Sequence, residues 1–285
     1  MPAPQAVLRR NNVVVAGQDR GNPALVFVNG FGCDQSMWRS VAPRFAPGHR
    51  VVLFDHVGTG RAQRSGIDAR KYANLQGYAD DLLEVCAAAG VRDAVLVGHS
   101  TGAMIGVLAA IRRPAAFREL ILLAPSPCYL NDGSYLGGFE REDLAALLEA
   151  MDADYRRWAH QMAPLIMGLP ERPELAWELE SSLNRMDLDI GRQFARVSFS
   201  ADHRGDLPLL STPTVVLQCA EDNMVPEVVG EFMRETIPGC GLVKLEATGH
   251  CPQLSAPDEV TRVLRDLLSS AGWIETQPAE LSSDL

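Results

Sequence analysis

The stretch Gly98-His99-Ser100-Thr101-Gly102 sets a serine two positions from a glycine on either side, at the end of the apolar run Ala94–Gly98. A serine on a sharp strand-to-helix corner has its hydroxyl exposed for nucleophilic attack. The glycines suit such a corner because the backbone passes close to strand and helix, where a Cβ would clash. The helix that follows would bring free N–H groups and positive potential to a developing oxyanion. A serine hydroxyl attacks poorly unless a base takes its proton. Six histidines are available, and His250, in the loop EATGHCP after the last apolar run, is the expected base. His99, beside the serine, should point away from it and play a structural part. His49, His160 and His203 lie in loops or helical segments elsewhere, and His56, after the run VVLFD, is expected at a pocket edge.

The imidazole in turn needs an acid to hold its tautomer and stabilise the imidazolium. The loop LQCAEDNMVP offers Glu221 and Asp222. The acid four residues before Pro226 is Asp222, which is assigned the role, and Glu221 reads as a solvated loop charge. Asp55 precedes the serine and is expected to brace a turn. Ser100, Asp222 and His250 then follow one another in the order serine, acid, histidine, one of the chain orders in which such triads recur. Two convergent N–H donors complete the chemistry. Thr101 should supply one, and Phe31, in the glycine-rich loop VNGFGCDQSMW, the other; Asp34 or Ser36 would cap the turn that follows.

These residues need a scaffold that brings distant loops to one edge. Seven short apolar runs provide it: Val13–Val15, Ala24–Asn29, Arg50–Asp55, Ala94–Gly98, Glu119–Pro125, Thr214–Cys219 and Gly241–Glu246. Near-continuous runs of this length suit strands buried on both faces of a mostly parallel sheet. Helical stripes alternate with them, among them Leu75, Tyr78, Leu82 and Cys86, and Met104, Leu108 and Ile111, the second stopped by Pro114. The expected class is α/β, with helices on both faces of the sheet. Between about Pro127 and Gly205 the strands cease. Four helical stripes replace them, starting at Leu144, Tyr155, Leu175 and Ile190 and punctuated by Pro164, Gly168, Pro170 and Pro173. The organisation read from this is a core over 1–126 and 206–270, a helical cap over 127–205 and a polar tail over 271–285.

The chain has 285 residues, 47% hydrophobic and 22% charged, and a net charge of −10 from 26 Lys and Arg against 36 Asp and Glu. That balance argues against nucleic acid or an anionic membrane as partner. No apolar run approaches the roughly 18 residues of a membrane helix, and no signal-peptide pattern is evident, so a cytoplasmic protein is expected. The six cysteines show no C-x-x-C pair and read as small buried hydrophobes of a reducing compartment. No phosphate-loop, dinucleotide or metal-spacing motif is present, so no cofactor and no metal are expected. A dehalogenase- or epoxide-hydrolase-like chemistry would need an aspartate at Ser100.

The strings GFGCDQSMW, VVLFDHVGTG, VGHSTGAMIG, PSPCYLND, GGFEREDL, FSADHRGDL and GHCPQLSAPDE together resemble the RsbQ-type α/β hydrolases of bacterial stress responses. They are similar, more distantly, to the plant karrikin and strigolactone receptors. The likeness runs from about Leu8 to Leu268. It implies the α/β-hydrolase fold, a four-helix cap over an enclosed apolar pocket, and the triad and amide donors already named. It also implies a positive regulator of a stress response that senses or hydrolyses a small hydrophobic molecule and works with a sensor–phosphatase protein. Asn29 and His56 depart from the family's usual residues. Three functions follow as expectations: a hydrolase of small apolar esters or lactones, a signalling module that turns a ligand over slowly, or a binding protein with a vestigial triad. In the first, the cap aromatics Phe139, Trp158 and Phe194 would line the pocket.

Overall fold

The computed structural model describes residues 2–64 and 67–269. Seven strands pair into one sheet: β1 (Val14–Ala16), β2 (Leu25–Val28), β3 (Val51–Leu53), β4 (Ala94–His99), β5 (Phe117–Leu123), β6 (Thr214–Glu221) and β7 (Gly241–Thr248). Their spatial order is β1-β3-β2-β4-β5-β6-β7. β1 runs antiparallel to β3, and the remaining neighbours are parallel. Alternate side chains enter different layers, as the pleat requires. Val26 and Val28 of β2 pack with Leu82, Met104 and Leu108 on one face. Leu25 and Phe27 pack with Trp38, Phe45, Val260 and Leu264 on the other. Two buried faces explain why β2 and β4 are apolar at nearly every position. β1 departs from that expectation: as the edge strand it leaves Val14 and Val15 44% and 42% exposed.

The core helices are α1 (Pro4–Arg10), α2 (Leu75–Ala88) and α3 (Thr101–Arg112) before the insertion. After it the chain continues with α8 (Glu227–Thr236), α9 (Pro252–Ser255) and α10 (Pro257–Ser269). Asn74 caps α2 by accepting from the Gln76 amide at 3.0 Å. α1 is absent from the periodicity reading because Val7 is its one fully buried residue.

Between β5 and β6 the chain forms α4 (Arg141–Ala153), α5 (Tyr155–Met167), α6 (Pro173–Asn184) and α7 (Leu188–Phe199). Asp154 and Asp187 cap α5 and α7, accepting from the Arg157 and Ile190 amides. Pro164 does not break the chain here; it sits inside α5, in its last turn. The apolar faces of these helices meet one another and the loops at the carboxyl ends of the strands. Trp158, Leu179, Leu183 and Phe199 share a cluster with Met37, Met224 and Leu254. The segment from 127 to 140 is irregular, tied by isolated bridges between Cys128 and Asp202 and between Leu130 and Phe139. The tail expected over 271–285 lies outside the described residues. Among the described residues no helix is long and apolar enough to cross a membrane.

Candidate active site

Ser100 closes β4 and opens α3 with φ 53° and ψ −124°, a conformation that L-residues rarely adopt. Its amide donates to Leu123 O at 2.9 Å. The corner closes because its flanks lack side chains. A Cβ on Gly98 would stand 2.7 Å from the Ala103 Cα, and one on Gly102 2.3 Å from the Asn29 carbonyl oxygen. Both distances are below any tolerable contact, so α3 can start directly against β2 and β4.

Two loops from the far side of the sheet reach this corner. β7 leads into Gly249 and His250, and β6 leads into Asp222. Ser100 Oγ donates to His250 Nε2 at 2.8 Å, and His250 Nδ1 donates to Asp222 Oδ2 at 2.8 Å. The Asp222 carboxylate is fully buried. Its second oxygen accepts from the Met224 and Val225 amides at 2.8 and 3.1 Å. Both carboxylate oxygens are thus committed, and the imidazole is held with its proton on Nδ1 and its lone pair towards the serine. The His250 backbone is fixed twice. Its carbonyl accepts from His99 Nε2 at 2.7 Å, and its amide donates to Ile166 O, on the last turn of α5, at 2.9 Å. Glu221 is exposed, and its carbonyl accepts from Gly249 N at 2.7 Å.

Phe31 and Thr101 lie beside Ser100 on the wall of a narrow cavity. Among the described residues neither amide is engaged in a backbone hydrogen bond. Two free N–H groups beside a nucleophile can receive a carbonyl oxygen as it gains charge. The Phe31 loop is anchored by Asn29 Nδ2, which donates to Phe54 O at 2.8 Å. Asp55 braces the next turn, accepting from the Gln35 and Arg61 amides at 2.8 and 2.9 Å. Asp34 caps the turn after Phe31, accepting from Ser36 N at 3.0 Å. His56 is not at a pocket edge. It is buried among Phe54, Tyr78 and Phe194 and donates from Nε2 to Asn29 O at 2.9 Å. That burial holds its pKa below the usual imidazole range.

The cavity above Ser100 encloses about 30 Å³. Phe31, Tyr129, Leu179, Leu183, Phe199 and Met224 form most of its apolar wall. Phe139, Trp158 and Phe194 are not on that wall; they stand one layer behind it. Phe194 is fully buried and stacks on Tyr78 with ring centroids 4.3 Å apart. Trp158 meets Phe31 edge-on at 6.2 Å, and Phe139 meets Tyr129 at the same separation. Size and helical spacing singled these three out, but both properties serve packing equally well. Tyr129 was missed because it lies in the irregular segment after β5. Its O–H donates to Ser100 Oγ at 3.3 Å, since the serine's own proton is engaged by His250. Burial pushes its pKa up to about 12, so it stays a neutral donor. A wider, polar depression lined by Arg50, Arg92 and Arg118 lies at the opposite ends of the strands, away from these groups.

A sheet of this order, with a serine elbow at the end of β4 and an acid and a histidine after β6 and β7, defines a class of hydrolase. The chain belongs to the alpha/beta hydrolase family, whose model matches residues 25–263. It is 41% identical over 263 residues to a strigolactone esterase of Arabidopsis thaliana, covering 92% of this chain and 97% of that one. A karrikin insensitive receptor of Petunia hybrida is 39% identical over 255 residues, covering 89% and 94%. Among solved structures, a hydrolase from Oleispira antarctica superposes with a TM-score of 0.91 at 33% identity, over 94% of this chain and 98% of that one.

Proposed function

We propose that this protein is a serine hydrolase of small, neutral esters or lactones. The carrying observation is the unbroken relay from Ser100 through His250 to Asp222, with both hydrogen bonds at 2.8 Å. Ser100 Oγ attacks the substrate carbonyl while its proton passes to His250 Nε2. The Phe31 and Thr101 amides hold the oxyanion, where one donor is typically worth roughly 10²–10³ in rate. His250 then protonates the departing alcohol, and water repeats the sequence to free Ser100. The substrate class rests on the wall chemistry: an apolar lining leaves a buried substrate charge without a partner. Sulfonyl fluoride labelling tests the mechanism. Phenylmethylsulfonyl fluoride should add one group, mapped to Ser100, and the Ser100→Ala variant should take none. A label on another residue, or none on the parent, overturns the assignment.

We further infer an RsbQ-type regulatory role in the cytoplasm: slow turnover or sensing of a small hydrophobic molecule, relayed to a sensor–phosphatase protein as a positive step in stress signalling. The shared strings along most of the chain support it, as do relatives named as receptors. A metabolic esterase without a partner is the competing reading. Ligand-dependent retention of a sensor–phosphatase on the immobilised protein distinguishes them, and its absence with every turned-over ester favours the metabolic reading.

A further inference from the structure

Cys86, Cys128 and Cys219 are buried, Cys240 is half-buried, and burial raises the pKa of all four. They behave as the small apolar residues expected from the sequence. Cys33 and Cys251 differ. Both are almost fully buried, at 2% and 1% exposure, yet both open onto the cavity above Ser100. Cys33 follows Phe31 in the glycine-rich loop, and Cys251 follows His250. The two thiols lie on the wall of the same narrow cavity and in the same buried cluster, close enough to interact with each other, and His99 lines that cavity beside them. His99 is itself 2% exposed, and its Nε2 proton is committed to the His250 carbonyl. Its Nδ1 is therefore a lone-pair acceptor, buried and without a hydrogen-bond partner, on the same cavity wall as Cys33 and close enough to influence its thiol.

A thiol beside a second thiol, with a buried imidazole in reach of its proton, has the setting of a reactive cysteine. The interactions with Cys251 and His99 lower the Cys33 pKa, against the opposing effect of burial. The interaction with Cys33 and burial raise the Cys251 pKa well above the usual thiol range. The hydrolytic relay uses neither sulfur.

We propose that Cys33 and Cys251 form a peroxide-oxidisable thiol pair whose disulfide locks the Phe31 loop to the His250 loop and switches the hydrolase site off. Cys33 gives its proton to His99 Nδ1 and attacks hydrogen peroxide. An S–O bond forms, the O–O bond breaks, and the departing hydroxide takes the proton back from His99 as water. The Cys251 sulfur then attacks the Cys33 sulfenic sulfur. An S–S bond forms, the S–O bond breaks, and the second hydroxide leaves as water with the Cys251 proton. Two thiols are oxidised by two electrons, and one peroxide becomes two waters. The cavity onto which both thiols open has room for an oxidant little larger than water. A disulfide holds its sulfurs about 2 Å apart, nearer than two unbonded thiols can stand. Phe31, with its amide at the serine, lies two residues before Cys33, and His250 directly precedes Cys251, so the displacement falls on the reacting groups.

The test treats the reduced full-length protein with hydrogen peroxide and blocks remaining thiols with iodoacetamide under denaturing conditions. The expected result is loss of two alkylatable thiols and a cross-linked peptide pair carrying Cys33 and Cys251, both reversed by dithiothreitol. In Cys251→Ala, lacking the resolving thiol, dimedone should trap a sulfenic acid at Cys33 in preference to the other four cysteines. A misplacement of about 1 Å at a reacting group can cost about a hundredfold in rate. Ester turnover of the oxidised parent should fall by about that factor, whereas the oxidised-to-reduced ratio in Cys33→Ser stays near one. Each ratio is internal to one variant, so a changed basal rate does not enter it. Six alkylatable thiols after a peroxide dose that oxidises a free cysteine peptide would overturn the proposal. So would a cross-link between other cysteines, or equal inhibition of Cys33→Ser. The switch on activity rests on the proposed hydrolase reading, but the thiol count and cross-link map do not, so the two ideas fail separately.

Discussion

Replacing Asp222 by Asn exchanges one oxygen for an NH₂ group and alters almost nothing else. Which way the amide turns is set by its surroundings. One carboxylate oxygen accepts from both the Met224 and Val225 amides, and the other from His250 Nδ1. The Asn oxygen must face the two backbone donors, because turning the NH₂ that way would set donor against donor twice. The NH₂ then points at His250 Nδ1, which can meet it only as an acceptor. The ring proton moves to Nε2 and faces Ser100 Oγ, and the serine loses its base. Packing and hydrogen-bond count are retained, so the expected change in unfolding free energy is within about 1 kcal/mol. The kcat for a small activated ester should fall by about 10⁴, the typical cost of the wrong tautomer, or about 5.5 kcal/mol in the barrier. Steady-state assay with p-nitrophenyl acetate measures the first quantity and urea unfolding the second. Glu221→Gln is the control, and its exposed side chain predicts less than a threefold change on the order expected of surface substitutions. Turnover of Asp222→Asn within tenfold of the parent, or a loss matched by Glu221→Gln, would refute the reasoning.

Ser100→Ala should lose on the order of 10⁴–10⁶ in kcat while retaining the parent's circular dichroism spectrum; residual turnover within tenfold would remove Ser100 from the reaction. Phe194→Ala, which opens a void against Tyr78 rather than in the cavity wall, should cost about 3–5 kcal/mol of stability in denaturant unfolding. Its substrate preference should stay unchanged, and the opposite pattern would return Phe194 to the pocket. Across a series of p-nitrophenyl esters, kcat/KM should be highest for short neutral acyl groups and fall sharply for long or anionic ones. The apolar wall offers a carboxylate no partner, so faster hydrolysis of anionic or long-chain esters would refute this substrate class.

The sheet was legible because parallel strands covered on both faces must be apolar throughout, and such runs stand out against the helical spacing between them. β1 was recognised as a strand, but its exposure was not, because three valines look alike at an edge and in a centre. The positions of Ser100, Asp222 and His250 were legible through local signals: glycines two residues either side, an acid four residues before proline, and a histidine after the last strand. The cavity wall was not. A helical stripe reveals which face is apolar, yet Phe194 and Phe199 share α7, and one packs on Tyr78 while the other meets the cavity. Nor could Cys33 and Cys251 be paired from sequence, since nothing local links them. Their proximity exists only because the loops after β2 and β7 converge.

That convergence also bears on folding. Ser100 and His250 are 150 positions apart in the chain and bond only when β4 and β7 occupy their places in the sheet, with β5 and β6 between them. Helices such as α2 and α3 form from local contacts, whereas non-local strand pairing bears the cost of loop closure first and comes slowly. A partly folded chain can therefore carry most of its helix and no relay at all. The Ser100–His250 hydrogen bond marks the molecules in which the whole strand order is complete, a stricter measure of folding than helix content.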